Sequence, residues 1–268
     1  MSNAPRPSGK VSFDNAGRVV IVTGGASGIG LAVAQGFADS GADVIALDVV
    51  EPQQRDAADR VDYRTCDVTD VAAVASAIGG IVERYGAIDV LVNNAAIQPV
   101  ASYQPLHELD PALLRRMLEV NVMGYNLVAQ RVLAVMVEQH SGVIVNLASA
   151  HAHGTSRGAA GYGPTKAANM MQAKQWAIEY ARLGIRVCSV SPGAIDTPLV
   201  RASLEQQGGE AQLANRHPLG RLGKPEEIAA AVMWLASPGA SFVTATDLHV
   251  DGGLMGFASF ADPYELPQ

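Results

Sequence analysis

The sequence predicts an α/β fold in one domain, with a doubly wound parallel sheet of seven strands and helices on both faces. Three observations support this prediction. Short β-branched runs, of the kind that form strands buried on both faces, alternate with longer helical patterns. The first run ends in a glycine-rich turn that opens an alanine-rich helical segment. With 268 residues, of which 49% are hydrophobic and 17% charged, the chain is able to bury one large core.

The individual elements follow from the same patterns. We predict strands at 18–23, 43–48, 61–66, 88–92, 142–148, 185–190 and 246–250. We predict helices near 28–40, 70–85, 111–138, 160–182 and 225–236, two of which open with an Asp-Pro or a Lys-Pro start signal. No linker rich in Gly, Ser or Pro divides the chain, so a single domain is expected over residues 11–262, with flexible tails at 1–10 and 263–268.

The turn after the first strand has the composition of an anion-binding site. It consists of Gly24, Gly25, Ala26, Ser27, Gly28, Ile29 and Gly30. Glycines allow positive φ angles and a close approach of a pyrophosphate, while the free N–H groups and the dipole of the following helix favour the anion. The spacing differs from the common G-x-G-x-x-G pattern, so the prediction depends on the order of strand, turn and helix. We expect a dinucleotide to bind here.

An acid at the end of the second strand indicates which dinucleotide binds. Asp48 lies about twenty residues beyond the turn, where a carboxylate accepts hydrogen bonds from the adenosine ribose. It would repel a 2′-phosphate, and no Lys or Arg stands in the turn or directly after Asp48 to neutralise it. We therefore expect NAD and disfavour NADP. The alternative is an ordinary βαβ unit with an exposed Asp at a strand end.

Charge and composition exclude several classes of partner. The net charge of −7 disfavours nucleic acid or an anionic membrane surface. Cys66 and Cys188 are too few and too far apart for a metal motif or a disulfide framework, so buried free thiols and no metal site are expected. The first ten residues lack an apolar core, and no run of eighteen apolar residues occurs. We expect a cytoplasmic protein that does not associate with a membrane.

A phenol and an amine four residues apart provide candidate proton-transfer chemistry. Tyr162 and Lys166 would lie on one face of a helix, which Pro164 allows if the helix starts near Tyr162. A neighbouring cation stabilises phenolate, so Tyr162 would take a proton from an alcohol as hydride leaves carbon, or return it to a carbonyl. Ser149 would hydrogen-bond the same oxygen. The alternative is a surface Tyr and Lys on a solvated helix.

Six short motifs follow one another in a recognisable order. They are Thr23-Gly24-x-x-x-Gly28-x-Gly30, Asn93-Asn94-Ala95-Ala96, Asn121-Val122-x-Gly124, Ser149 thirteen residues before Tyr162, Pro192-Gly193 and Asp251-Gly252-Gly253. Together they resemble the short-chain dehydrogenase/reductase (SDR) family from about Gly17 to Gly253. The resemblance implies a single-domain Rossmann fold and nicotinamide-dependent oxidoreduction of CH–OH groups.

The resemblance also implies a role for each matched position. Asn121, Ser149, Tyr162 and Lys166 would be catalytic, with Asn121 holding a water that connects Lys166 to solvent; the alternative for Asn121 is a bond to local backbone. Beyond the glycine turn, contacts to the cofactor would come from Asp48, Asp67, Val68, Asn94, Ala95, Tyr162, Lys166, Pro192, Gly193, Ile195 and Thr197. Among these, Asp67 would meet the adenine, and Ile195 and Thr197 the carboxamide.

A homotetramer is a further implication of the resemblance. It would be built partly from the helices that carry Asn121 and Tyr162 and partly from the C-terminal segment. Leu254, Met255, Phe257 and Phe260 are unusually apolar for a free tail, which favours burial of that segment against a neighbouring subunit.

The substrate pocket is expected at the carboxyl ends of the strands. Gln98, His151 and His153 would contact substrate beside Ser149 and Tyr162, and these polar side chains favour a sugar or polyol. For each of the three, the alternative is a solvated loop side chain. The segment 199–216 is a candidate lid.

Three functions remain open. The sequence favours an NAD-dependent dehydrogenase acting on a polar secondary alcohol. A 3-oxoacyl carrier-protein reductase typically uses NADPH and binds an acidic carrier on a basic surface, which Asp48 and the net charge of −7 both oppose. A non-catalytic NAD(H)-binding regulator need not retain the four candidate catalytic residues together.

Overall fold

Residues 11–53 and 59–257 are described by a computed structural model, and over these residues seven strands form one sheet. The strands are Val19–Thr23 (β1), Asp43–Asp48 (β2), Asp62–Thr65 (β3), Val90–Asn93 (β4), Gly142–Leu147 (β5), Ile185–Pro192 (β6) and Asp247–Val250 (β7). Every neighbouring pair is parallel, and the order is β3-β2-β1-β4-β5-β6-β7. The predicted seven-stranded, doubly wound sheet is confirmed.

Six of the eight α-helices in the described residues lie close to the predicted ranges. The eight are Gly28–Asp39 (α1), Val71–Tyr85 (α2), Pro111–Leu118 (α3), Gly124–Gln139 (α4), Tyr162–Tyr180 (α5), Pro198–Arg201 (α6), Glu210–Asn215 (α7) and Pro225–Ala236 (α8). Helices α6 and α7 were not predicted. The long helix predicted at 111–138 is divided by a π-helical turn at Glu119–Met123, which the periodicity did not reveal. The candidate lid at 199–216 contains α7 and most of α6.

Both faces of the sheet are covered, which explains why its strands read as unbroken apolar runs. Helices α1 and α8 pack on one face, and α2, α4 and α5 pack on the other. Within β1 the side chains alternate between the two cores: Val20 and Val22 join the α1 and α8 side, while Val19 and Ile21 join the other.

The stretch Pro111–Gln139 is long and apolar enough to cross a membrane by length and composition, and half of its most apolar window is buried within the fold. Its second half, α4, packs on α2 and on strands β4 and β5, as a core helix does. The predicted tails at 1–10 and 263–268, and Phe260 with them, lie outside the described residues.

The strand order places a topological switch point between β1 and β4. From β1 the chain winds outward to β2 and β3, and then returns to add β4 to β7 on the other side. Crossovers that leave neighbouring strands in opposite directions open a crevice at the carboxyl ends of those strands. The turn after β1 and the loop after β4 both lead into this crevice, so the fold itself determines where ligands bind.

Candidate active site

A cleft of about 300 Å³ lies at the carboxyl ends of the strands, and we call it the cofactor cleft. The structure brings nearly all of the predicted cofactor residues to its wall. These are Gly24, Ser27, Gly28, Ile29, Asp48, Asp67, Val68, Asn94, Ala95, Tyr162, Lys166, Pro192, Gly193, Ile195 and Thr197. Gly30 is the exception: it does not line the cleft but packs against the carbonyl oxygen of Gly24 and the side chain of Asn94.

The glycine turn has the backbone that its composition predicts. Gly24 and Gly28 have φ angles of +62° and +53°, which residues other than glycine rarely adopt. A Cβ atom on Gly30 would overlap the carbonyl oxygen of Gly24 and the side chain of Asn94. Ser27 is the N-cap of α1 but makes no side-chain capping bond, so the first N–H groups of this helix face the cleft without a side-chain acceptor. This arrangement fits a dinucleotide pyrophosphate.

Asp48 closes the adenosine end of the cleft. Its carboxylate accepts hydrogen bonds from the backbone N–H of Ala26 at 3.0 Å and of Val50 at 3.2 Å, which holds it beside the glycine turn. The basic residues on the described wall of the cleft are Arg116 and Lys166. Neither lies next to Asp48 in the sequence, so the carboxylate has no adjacent cation along the chain.

Arg116 is a cleft residue that the sequence did not identify. It extends from α3 and donates to Asp67 Oδ2 at 3.1 Å and to Thr69 Oγ1 at 3.1 Å. The bonds from Thr69 and Arg116 hold the pKa of Asp67 below its usual value, against the opposing effect of burial. Asp67 therefore stays ionised beside the adenine position that the family resemblance assigned to it.

Three of the four predicted catalytic side chains meet deep in the cleft. Ser149 follows β5, Tyr162 is the first residue of α5, and Lys166 lies one turn further on. The amine of Lys166 is 5.8 Å from the centroid of the Tyr162 ring, so the two groups share one side of the helix. Pro164 falls in the first turn of α5, where its missing N–H has no intrahelical partner to lose. The alternative of a solvated Tyr–Lys pair is excluded, because Lys166 is only 2% exposed.

The amine of Lys166 is held by the end of β5. Its Nζ donates to the carbonyl oxygen of Leu147 at 2.7 Å and to the hydroxyl of Tyr125 at 3.3 Å. Burial lowers the pKa of Lys166 to about 7, since the fold favours the neutral amine over the ammonium. At neutral pH this amine is poised between its two protonation states.

The pKa of the Tyr162 phenol is higher than the sequence predicted. Burial raises the pKa of Tyr162. The hydrogen bond with the side chain of Ser149 lowers this pKa, but by less than burial raises it. Burial of the phenol thus opposes the effect expected of the neighbouring Lys166 cation, and that effect stays a prediction. Burial destabilises the phenolate by more free energy than the hydrogen bond with Ser149 provides.

Asn121 occupies the π-helical turn and is fully buried. Its side chain accepts from the N–H of Ile97 at 2.8 Å and donates to the carbonyl of Ile97 at 3.0 Å and to Thr165 Oγ1 at 3.1 Å. The structure thus shows the backbone-bonding alternative, in which Asn121 ties the loop after β4 to α5. Whether it also holds a water for a proton relay stays a prediction.

Sequence reasoning missed several residues that support the site. Tyr125 lies one helical turn beyond Asn121, a spacing that would have placed it on the same face. It is fully buried, and its hydroxyl donates to the carbonyl of Leu147 at 3.1 Å beside Lys166. Asn169 donates to the backbone oxygen of Asn121 at 2.7 Å, and Thr23 accepts from the N–H groups of Asn94 and Ala95.

A second cavity of about 370 Å³ adjoins the cofactor cleft, and we call it the substrate cavity. Ser149 and Tyr162 belong to the walls of both. Gln98 and His151 line the substrate cavity as predicted. His153 does not, which corrects its assignment: the short 3-10 turn at Ala150–Ala152 carries His153 toward β7 instead.

The substrate cavity is less polar than the sequence predicted. Its apolar wall includes Tyr103, Leu213, Leu254, Met255 and Phe257. The last three belong to the C-terminal segment that was expected to pack on a neighbouring subunit, so the cavity explains their apolar character within one chain. Packing of this segment on a neighbouring subunit stays a prediction.

His151 is a neutral polar group in this wall. Its ring stands edge-on to Tyr162 at 5.8 Å between centroids. Burial lowers its pKa, and the positive charge of Arg216 lowers it further. Its Nδ1 is buried with no hydrogen-bond partner among the described residues. The fold thus leaves one buried polar atom of this ring without a partner among the described residues.

The candidate lid is folded over the substrate cavity. Leu199, Val200, Gln207, Leu213 and Arg216 of this segment line the cavity. An ion-pair network on its outer side, in which Arg201 bonds Asp196 and Glu210, ties α6 to α7. The segment thus has its own structure and forms one wall of the pocket.

Comparison with known proteins agrees with this geometry. A family model described as enoyl-(acyl carrier protein) reductase matches residues 24–255. The chain is 42% identical over 243 residues to cis-4-hydroxycyclohexanecarboxylate dehydrogenase of Sinomonas cyclohexanicum, covering 88% of this chain and 96% of that protein. It is 38% identical over 246 residues to the 3-oxoacyl-(acyl-carrier-protein) reductase of Thermotoga maritima, covering 89% of this chain and 98% of that protein.

A solved structure shows the same fold. The ligand-free aldohexose dehydrogenase of Thermoplasma acidophilum superimposes with a TM-score of 0.86 at 37% sequence identity, covering 94% of this chain and 98% of that chain. By name, these three proteins are two dehydrogenases and one reductase, and they match 88%, 89% and 94% of this chain. This chain therefore belongs to the short-chain dehydrogenase/reductase family of nicotinamide-dependent oxidoreductases.

Proposed function

We propose that the protein is an NAD-dependent dehydrogenase that oxidises a secondary alcohol group on a compact, polar, hydroxylated substrate such as a sugar, a polyol or a hydroxylated ring. The observation that carries this proposal is the wall shared by the two cavities. Ser149 and Tyr162 stand where the cofactor cleft opens into the substrate cavity. A substrate carbon there faces the cleft while its oxygen faces the two hydroxyl groups.

The residues at this junction have complementary tasks. Ser149 and Tyr162 hydrogen-bond the substrate oxygen, and Tyr162, in the phenolate form that the two positive charges described next favour, receives the substrate's proton as the C–H bond breaks. A bound oxidised nicotinamide supplies the hydride acceptor and a positive ring charge. Lys166, whose pKa is about 7, provides an adjustable positive charge behind the phenol. In the reverse direction the same phenol donates the proton to a carbonyl.

The choice of NAD is supported by the adenosine end of the cleft. The carboxylate of Asp48 stands beside the glycine turn, where it would bind ribose hydroxyls and repel a 2′-phosphate. The family resemblance assigns Asp67 to the adenine. The guanidinium of Arg116 donates a hydrogen bond to this carboxylate. The cofactor cleft therefore favours NAD over NADP.

The substrate class is supported by the mixed walls of the substrate cavity. Gln98 and the neutral His151 offer hydrogen bonds to hydroxyl groups, while Tyr103 and Leu213 offer apolar surface to a carbon ring. Arg216 adds a positive charge to the same wall. The names of the matched dehydrogenases, one acting on a hydroxylated cyclohexane carboxylate and one on aldohexoses, agree with such a pocket.

A second candidate is a 3-oxoacyl carrier-protein reductase, which the similarity to the Thermotoga maritima reductase favours. Asp48 and the net charge of −7 argue against it, because that reaction typically uses NADPH and an acidic carrier protein. A non-catalytic NAD(H)-binding regulator is the third. It would bind dinucleotide without turnover.

A substrate panel separates the three. The purified protein is incubated with NAD or NADP and with aldohexoses, polyols and cyclic alcohols with or without a carboxylate, and separately with NADPH and a 3-oxoacyl thioester. We expect NADH formation with at least one alcohol class. Reduction of the thioester alone would establish the second candidate, and dinucleotide binding with no turnover in any arm would establish the third.

Tyr162→Phe tests the chemical role of the phenol. We expect kcat to fall by about 10²- to 10⁴-fold, the usual contribution of a proton-transfer group, while NADH affinity measured by fluorescence stays near the wild-type value. Tyr180→Phe, at the other end of α5, is the matched control and should keep full activity. Normal turnover in Tyr162→Phe would refute the mechanism.

A further inference from the structure

Three potential metal ligands from distant parts of the chain converge beside β7. His153 Nε2 lies 2.8 Å from Asp247 Oδ2 and 3.1 Å from His249 Nε2, and His249 Nε2 lies 3.4 Å from the same carboxylate oxygen. Asp247 and His249 are two residues apart on β7, so they project from the same face of that strand. None of the three lines the cofactor cleft or the substrate cavity.

Hydrogen bonding alone does not account for this convergence. An imidazole nitrogen has one in-plane site, which is either an N–H donor or a lone pair. His153 Nε2 has three neighbours within 3.4 Å, namely Asp247, His249 and the hydroxyl of Ser191. One site cannot be directed at three partners. The two imidazole nitrogens and the carboxylate oxygen all lie within 4.8 Å of one another, as the ligand atoms of one ion do.

The triangle of ligand atoms has the dimensions of a coordination site. A tetrahedral Zn²⁺ with bonds of about 2.0–2.1 Å holds its ligand atoms about 3.3 Å apart. The three separations of 2.8, 3.1 and 3.4 Å are close to that value. We propose that His153, Asp247 and His249 bind a divalent transition-metal ion of the Zn²⁺ type, a site separate from the dehydrogenase centre.

The surroundings of the triangle suit such an ion. Ser189 donates to Asp247 Oδ1 at 2.5 Å, which orients the carboxylate so that Oδ2 faces the two histidines. The side chain of Asp247 is only 6% exposed, whereas that of His249 is 40% exposed, so the site is anchored inside and open on one side. A water molecule can occupy the fourth position there. Nitrogen ligands favour Zn²⁺ over Mg²⁺ or Ca²⁺.

The site would join two parts of the fold. His153 belongs to the segment that follows Ser149 and its 3-10 turn, and Asp247 and His249 belong to the last strand of the described sheet. An ion bound by all three cross-links residues 94 positions apart. Metal binding to the folded chain should therefore raise its thermal stability.

The test uses the full chain without an affinity tag, stripped of metal with a chelator and dialysed. Zn²⁺ binding is measured by competition with a chromophoric chelator, and the melting temperature is measured with Zn²⁺ or with Mg²⁺. The variants are His153→Gln and His249→Gln. His107→Gln is the matched control, because His107 is exposed, lies beside Glu108 and is not part of the triangle.

We expect the wild type and His107→Gln to bind one Zn²⁺ per chain and to melt at a higher temperature with Zn²⁺ but not with Mg²⁺. His153→Gln and His249→Gln should bind it at least about 100-fold more weakly and lose the shift. In case a variant does not fold, Co²⁺ added to the wild type supplies a second readout, since a four-coordinate nitrogen–oxygen site gives strong visible absorption that Zn²⁺ abolishes. Equal Zn²⁺ affinity in all four proteins, or a wild type that shows neither stoichiometric binding nor the Co²⁺ spectrum, would overturn the proposal.

Discussion

Lys166 shows how the fold uses one buried polar residue. Its amine is removed from water and held by the carbonyl of Leu147 and the hydroxyl of Tyr125. Neither partner carries a negative charge, so the ammonium is poorly compensated and its pKa falls to about 7. The same burial that prepares this amine for proton transfer also reduces the stability of the folded chain.

The pH dependence of stability should report this cost. The unfolded chain keeps the Lys166 proton up to about pH 10.4, whereas the folded chain releases it near pH 7. The unfolded state therefore binds more protons between these pH values, so the unfolding free energy rises with pH. The loss of stability caused by burying the ammonium is full below about pH 7 and absent above about pH 10.4. Urea unfolding between pH 6.5 and 8 should show a rise of up to about 1 kcal/mol per pH unit.

Lys166→Met is the comparison that isolates this amine. It should lose most of the rise between pH 6.5 and 8 and keep only the small part below about pH 7 that comes from the lowered pKa of His151. The raised pKa values of Cys66 and Cys188 act in the opposite direction only at higher pH. If the unfolding free energy of the wild type and of Lys166→Met depends on pH with the same slope, the Lys166 amine does not cause the rise.

Asp48 should determine the choice of dinucleotide. Asp48→Asn removes the negative charge but keeps an oxygen to accept from the N–H of Ala26. We expect the ratio of kcat/KM with NAD to kcat/KM with NADP to fall by about tenfold or more, because a 2′-phosphate is no longer repelled. The control is Asp43→Asn at the opposite end of β2, which should leave the ratio unchanged. An unaltered ratio in Asp48→Asn would assign the selectivity elsewhere.

Residues were predictable where their role depends on local sequence. The glycine turn, Asp48 and the Tyr162–Lys166 pair are defined by spacing along one or two elements. Arg116 and Tyr125 were missed because their contacts are made across the fold, with Asp67 and Lys166 respectively. Solvent exclusion is also a property of the whole fold, so the raised pKa of Tyr162 was not accessible from the sequence.

At the level of elements, the junction of β1 and α1 depends on the absence of a side chain at Gly30. A Cβ there would overlap the carbonyl oxygen of Gly24 and the amide of Asn94, and backbone atoms cannot move aside cheaply. Gly30→Ala should therefore lower the melting temperature and weaken NADH binding at least about tenfold, as fluorescence titration would measure.

Gly79→Ala is the matched control for Gly30→Ala, and we expect it to stabilise the protein. Gly79 lies inside α2 with open space around its Cβ position. Alanine should stabilise the protein by about 0.5–1 kcal/mol there, since it loses less backbone entropy on folding, and NADH binding should not change. Equal effects of the two substitutions would show that the turn tolerates a side chain.

The elements themselves were largely predictable, because hydrophobic periodicity and start signals depend on neighbouring residues. All seven strands and the five long helical segments lie within a few residues of their predicted bounds. The π-helical turn at Glu119–Met123 was not predictable, since it inserts one residue per turn without changing the apolar pattern. The path of the chain after Ser149 was also missed, and with it the position of His153.

For the whole molecule, we propose the homotetramer that the family resemblance implied. Helices α3 and α5 and the π-helical turn after α3 leave large apolar side chains uncovered, from 43% exposure at Leu118 to 77% at Ile178, with Met123 and Met171 between. Such side chains on adjoining helices favour burial against another copy.

Light scattering coupled to size-exclusion chromatography tests the assembly. The mass should be near four times the chain mass of 27.9 kDa. Ile178→Glu should reduce it by introducing a charge into the contact, whereas Leu106→Glu, at a residue exposed on a loop, should not. A monomeric wild type would refute the tetramer.

The common wall of the two cavities has an evolutionary consequence. About half of the dinucleotide side is built before residue 98, whereas much of the opposite side comes from 207–217 and 254–257, whose residues do not line the cofactor cleft, with the reacting hydroxyls between them. Mutations in 207–217 and 254–257 can therefore reshape specificity without touching the wall of the cofactor cleft or the groups that transfer the proton. Such a division lets one scaffold acquire new substrates by drift in two short stretches of its chain.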